Sequence, residues 1–190
     1  HLRDQSMRNE ISRHLVDADF NDWIIISDLD EIPNPNKIKE FKPENKFAFF
    51  EQNFFYYKFN VLNISQPLWY GSRICVKRYL KSPQWLRNIK IKKRNFFKRY
   101  LFGLNYQILE NGGWHFSNLK TPKGLIKKIT SFCHGEYNKS KFTNEKLIEK
   151  KINNLEDIFD RNVKYKKVLL DNSFPNFLLR NQHIYKNWIL

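Results

Sequence analysis

The sequence predicts a single mixed α/β domain, a mixed sheet flanked by helices, and three observations carry that reading. A short β-branched run, Trp23-Ile24-Ile25-Ile26, follows a helical stretch and stops abruptly in Ser27-Asp28-Leu29-Asp30-Glu31. Aromatic-rich extended segments fill the middle of the chain. Ser82-Pro83 and Thr121-Pro122 look like helix starts, each a capping hydroxyl followed by a proline whose fixed φ suits the first turn. No repeat period and no low-complexity linker divides the 190 residues.

Taken in order, residues 3–18 place Met7, Ile11, Leu15 and Val16 at helical spacing. The apolar run at 22–27 suits a strand buried on both faces, as in a parallel sheet covered by helices. Ile32-Pro33-Asn34-Pro35-Asn36 turns the chain, and a short helix is expected at Lys37–Phe41. Phe47–Gln52, Phe54–Phe59 and Ser72–Tyr79 read as strands, and Ser82-Pro83 opens a helix. Asn105–Leu109 and Gly113–Ser117 read as two further strands around an Asn111-Gly112-Gly113 turn. Thr121-Pro122 opens a helix to about Phe132, and Thr143-Asn144-Glu145-Lys146 another, with Glu145 at the positive end of its dipole.

Composition limits the function. Lys and Arg number 34 against 19 Asp and Glu, a formal net charge of +15. The 17 Phe, 9 Tyr and 5 Trp supply ample apolar area for a core. No apolar run approaches the roughly 20 residues a membrane-spanning helix needs. Cys75 and Cys133 form neither a disulfide framework nor a CxxC metal pair. The chain begins at His1 inside a helical stretch and shows no basic-then-apolar leader, which points to a missing N-terminal portion. A cytoplasmic or membrane-peripheral location is expected.

The chemistry concentrates at three places. A buried strand ending in acids puts them where open α/β sheets bind ligands. Residues two apart in extended chain point the same way, so Asp28 and Asp30 converge and call for a cation between them. Mg²⁺ or Mn²⁺ takes such oxygen ligands and keeps phosphate oxygens in its remaining positions. Asp-x-Asp alone is a short pattern, most often a solvated loop; the strand before it adds the weight. In Gly112-Gly113-Trp114-His115-Phe116-Ser117, paired glycines admit close backbone approach and Trp114 offers a face that stacks on sugar. A tight hairpin turn with a core Trp fits the same residues. In Ser131-Phe132-Cys133-His134-Gly135-Glu136, the His134 imidazole suits a metal, though a lone His is more often a packed or surface residue.

These three segments, with Ile32-Pro33 completing the first, resemble glycosyltransferase family 17. That is the family of the β-1,4-mannosyl-glycoprotein 4-β-N-acetylglucosaminyltransferases. Weaker matches at Arg8-Asn9, Tyr56-Tyr57 and Trp69-Tyr70-Gly71-Ser72-Arg73 extend the resemblance over essentially the whole chain. It implies a GT-A-like (Rossmann-like) fold and inverting transfer of a sugar, by default N-acetylglucosamine, from a UDP-sugar donor to a hydroxyl of a glycan or glycolipid acceptor. Asp28 and Asp30 would hold the metal and diphosphate, Asp30 as the direct ligand, with Arg8 beside the nucleotide-sugar and His134 as a third metal ligand. The metal, Mn²⁺ or Mg²⁺, would stabilise the departing UDP. Glu31, Glu110 and Glu136 are the candidate bases for the acceptor hydroxyl, with Glu136 favoured for lying in a matched motif. Trp114, His115 and Trp69 would contact sugar. In this family further strands and helices precede the helix seen here and help hold the nucleotide base. The resemblance therefore implies a domain lacking its N-terminal strands, with a sheet edge left exposed.

The basic residues cluster at Arg87–Arg99, Lys120–Lys128, Lys146–Lys151 and Lys164–Lys167. A nucleic-acid-binding module is one alternative, with Phe96, Phe97 and Tyr100 as stacking platforms. No nucleic-acid-binding signature accompanies them, so that partner is disfavoured. A solvated basic surface, or a face turned to anionic membrane or a phosphorylated acceptor, fits as well. Another metal-dependent phosphate-processing enzyme is the remaining alternative.

Overall fold

A computed structural model describes residues 2–91, 106–131 and 139–190. The fold is α/β, a mixed sheet flanked by helices. The chain divides into two compact units, each built from two segments: residues 1–52 with 69–113, and residues 53–68 with 114–190. Two long strands, β3 (Phe47–Tyr56) and β7 (Tyr106–Ser117), begin in the first unit and end in the second. Among the described residues no helix is long and apolar enough to cross a membrane.

In the first unit, α1 (Leu2–Asn9) runs into a 3₁₀ turn at Glu10–His14, so the helical stretch ends short of residue 18. Strand β1 (Trp23–Ile26) pairs antiparallel with β6 (Arg73–Val76), which pairs antiparallel with the start of β3. The expected parallel pairing of β1 is therefore corrected. Its unbroken apolar character has another cause. Ile24 and Ile26 pack with Cys75, Leu86, Ile11 and Leu15 on one face, while Ile25 packs against Phe41, Ala48, Phe50 and Ile74 on the other. Both faces are covered, and a strand so placed needs apolar residues at every position whatever its partner's direction. Among the described residues β1 ends the strand path, so it is an edge strand.

Helix starts follow local chemistry. The Asn34 side chain caps α2 (Pro35–Ile38), and Ser82 Oγ accepts the Trp85 N–H at 3.0 Å to cap α3 (Pro83–Asn88). Strand β2 (Glu31–Pro33) pairs with β7, and the short β5 (Leu68–Trp69) pairs with β3. Strand β7 is continuous, which replaces the expected two strands and turn. Phe49 packs on Tyr106, and Phe54 stacks on His115 with centroids 4.5 Å apart, so β3 and β7 run in the same direction. β7 uses more residues than β3 between these contacts, and the surplus forms a bulge where Asn111 has φ 51° and Gly113 φ 136°.

In the second unit, β4 (Val61–Asn63) pairs antiparallel with the end of β3 and with β8 (Tyr165–Lys167). On one face α4 (Pro122–Ser131) and α5 (Glu145–Asn153) insert Leu125, Ile129, Ile148 and Ile152, each pair one helical turn apart, against Tyr57, Val61 and Tyr165. On the other, Phe55, Trp114 and Phe116 pack with Phe174 and with Leu178 of α6 (Asn176–Arg180).

Candidate functional site

The candidate site of the first unit lies at the C-terminal end of β1. Residues 28–31 form a tight turn, closed by the Glu31 N–H donating to the Asp28 carbonyl at 3.0 Å. Asp28 and Asp30 thus sit on a turn rather than on extended chain, both partly buried, with Leu29 fully exposed between them.

Glu31 anchors the turn. Its side chain is 1% exposed. Oε1 accepts the Trp69 Nε1–H at 2.7 Å and Arg87 Nη2 at 3.0 Å. Oε2 accepts Arg87 Nη1 at 3.0 Å, the Asp28 N–H at 3.1 Å and Ser72 Oγ at 3.3 Å. Ser72 is itself held by Gln52 and Ser27. A bidentate guanidinium and neutral donors take the place of the water that burial strips from this carboxylate. With both oxygens filled, Glu31 is a structural anchor and not a base open to an acceptor hydroxyl. The Trp69 indole N–H is engaged in the same cage.

The network then runs outward. Arg87, from α3, also donates Nη2 to Asp28 Oδ2 at 2.6 Å, and Arg8, from α1, donates to Asp28 Oδ1 at 2.9 Å. The Asp28 side chain remains 37% exposed. Arg73 follows in β6, its guanidinium 4.9 Å over the Phe49 ring and bonded to the Leu86 carbonyl. Burial and then the neighbouring Arg87 lower its pKa to about 10, with Glu31 opposing, so it stays cationic at neutral pH. Both Asp28 oxygens accept a guanidinium, and Asp30 follows two residues on in the same turn, partly buried. Among the described residues no group of three His, Cys, Asp or Glu forms an all-protein metal site.

Gly112 and Gly113 approach the chain's own backbone. A Cβ on Gly113 would stand 2.1 Å from the Ile32 carbonyl, and one on Gly112 2.6 Å from that of Leu109. Gly113 lets β7 press against β2 and Gly112 lets it press against β3, a packing need that accounts for them without a ligand. Trp114 and His115 belong to the second unit. Trp114 is 8% exposed, packed in the core, and its Nε1–H donates to the Ser173 carbonyl at 2.9 Å. His115 is 6% exposed and stacked on Phe54. Neither presents an open face to sugar as placed. Glu110 is exposed in the first unit. Nearby, the Tyr70 hydroxyl donates to Glu51 at 2.7 Å, and burial, Glu51 and Glu110 push its pKa up to about 12. His134 and Glu136 lie outside the described residues, as do residues 92–105, which carry most of the Arg87–Arg99 basic cluster.

Sequence reasoning missed Arg87 as a site residue, counting it only as the start of a basic run. Its one local signal is its place in the last turn of a helix opened by Ser82-Pro83. Compared with known proteins, the chain matches no family, no curated protein and no solved structure.

Proposed function

We propose that the chain serves nucleotide-sugar-dependent glycosyl transfer of GT-A type, using the turn at Asp28–Glu31 to hold the donor's diphosphate. One observation carries the reading: two partly exposed carboxylates, Asp28 and Asp30, stand at the end of a strand with Arg8 and Arg87 converging on the first. The three sequence motifs point the same way. Glu31 and Arg87 fix the turn, Asp28 is oriented by two guanidiniums, and those guanidiniums are chemically suited to phosphate oxygens. A bound Mn²⁺ or Mg²⁺, held by Asp30 and Asp28, would supply charge stabilisation for the leaving nucleoside diphosphate. Glu110 and Glu136 remain as the bases for the acceptor hydroxyl; UDP-N-acetylglucosamine is the default donor, and a glycan or glycolipid the acceptor.

The test is UDP release from UDP-N-acetylglucosamine by the complete protein. Turnover should require the divalent ion, and Asp30→Asn should lower it roughly a hundredfold, the scale of losing one transition-state charge contact. Undiminished turnover in EDTA, or in Asp30→Asn, would overturn the proposal.

A further inference from the structure

The second unit holds a cleft of about 560 Å³ that the proposed donor site does not use. Three lysines line it, Lys58, Lys120 and Lys186, with Glu149 as the one acidic side chain among the lining residues, and Ile152 and Trp188 add apolar surface. Its volume falls in the range of small-ligand sites, roughly 300–1,000 Å³. Lys58 is half-buried and spends one N–H on the Asn187 carbonyl at 2.6 Å, leaving two donors. Burial lowers the Lys58 pKa, with Glu149 partly offsetting, so its ammonium gains from an anion brought alongside. Lys120 and Lys186 are exposed, their ammonium groups open to a ligand in the cleft. The start of α4 also borders the cleft, but Pro122 has no N–H, and Thr121 accepts the N–H groups of Gly124 and Leu125. The helix therefore contributes the positive end of its dipole, and the lysines contribute the donors.

We infer that this cleft binds a phosphate monoester of a ring-bearing small molecule, the phosphate among Lys58, Lys120 and Lys186 and the ring against Trp188. Three lysines against one acidic side chain select an anion, and an indole beside them favours a sugar-sized apolar face over a bare ion. The site lies wholly within the second unit and does not depend on the donor-site reading.

Calorimetric titration of the complete protein tests it, with glucose 6-phosphate, inorganic phosphate and glucose as probes, and phosphatidic acid vesicles as a separate arm. Glucose 6-phosphate should bind saturably, and glucose should not. The double variant Lys120→Ala/Lys186→Ala should weaken binding by about tenfold or more, the scale of losing charge-assisted hydrogen bonds. Lys123→Ala/Lys150→Ala removes the same charge from exposed side chains that do not line the cleft and should leave affinity within about twofold, since water and salt screen exposed charges that make no contact with the ligand. Trp188→Ala should weaken glucose 6-phosphate more than inorganic phosphate. Vesicle capture abolished by the cleft pair, together with silent glucose 6-phosphate, would assign the phosphate to a lipid headgroup and overturn the ring-bearing ligand. Absence of saturable binding to every phosphate probe, or equal losses in the two double variants, would overturn the phosphate site.

Discussion

Each unit buries one carboxylate against an arginine, and the two differ in where the network ends. In the second unit Asp157, its side chain 1% exposed, accepts the hydroxyls of Tyr57 at 3.2 Å and Tyr165 at 2.9 Å. Arg161 grips it through Nε at 2.9 Å and Nη2 at 2.8 Å, and is itself 42% exposed. The hydrogen bonds of Asp157 tie α5's trailing loop to Tyr57, just past β3, and to Tyr165 of β8. In the first unit Glu31 is equally buried, but its arginine is 11% exposed and passes on to Asp28, which faces solvent. A closed network is an anchor. An anchor that extends to a half-exposed acid on a strand-end turn also positions a site, and that contrast distinguishes Asp28 from Asp157.

The largest effect expected is from Glu31→Gln, which strands Arg87 without its buried partner and should cost about 3–5 kcal/mol. Urea denaturation measures it, and amide exchange should show β1 and β6 losing protection before β4 and β8. Asp157→Asn should cost less, about 2–3 kcal/mol, because Arg161 can turn to water while the two tyrosine hydroxyls lose their acceptor. Here β4, β8 and α5 should lose protection first. If both variants deprotect the same segments, the two anchors are not separate.

Acid sharpens the contrast. Burial pushes the Asp157 carboxyl up, but hydrogen bonds from the Arg161 side chain and backbone outweigh it, and the net shift is downward. A carboxyl depressed in the folded state binds fewer protons there than when unfolded. Its contribution is full above the ordinary carboxylate range of about 4 and is lost as pH falls through the folded value. Stability measured from pH 6 to pH 2 should therefore drop less steeply in Asp157→Asn.

Gly71→Ala probes the cage around Glu31. A Cβ there would stand 1.8 Å from Glu31 Oε1 and 2.2 Å from Trp69 Nε1, and both atoms are fixed by their hydrogen bonds. The cost should be about 2 kcal/mol, read from the denaturation midpoint. Asp28→Asn should be the mildest, under about 1 kcal/mol, since its partly exposed pairs are screened by water. A larger loss would make Asp28 an anchor like its neighbour.

What was legible in the sequence was local. Ser82, Thr121 and Asn144 begin helices because a side-chain oxygen reaches an amide two or three residues on, within the span of a motif. Asp28 and Asp30 were legible because a strand's end precedes them directly. Glu31's burial was not, because its partners Trp69, Ser72 and Arg87 arrive from distant strands and a helix. Gly112-Gly113 was misread because left-handed residues serve a turn and a bulge alike, and only pairing with β2 and β3 decides between them. Antiparallel β1 was hidden for a related reason: covering both faces gives the same apolar run that parallel pairing does. Trp114 carries an apolar face that suits core and sugar equally, and here the core takes it.

The most direct test measures Mn²⁺-dependent UDP affinity and the urea midpoint together, in Asp30→Asn and in the wild type of the complete protein. Asp30→Asn should weaken UDP binding by at least about tenfold while the midpoint falls far less than in Glu31→Gln. Unchanged UDP affinity, or a fall in the midpoint comparable to that of Glu31→Gln, would contradict the assignment of the Asp28–Glu31 turn as a donor site.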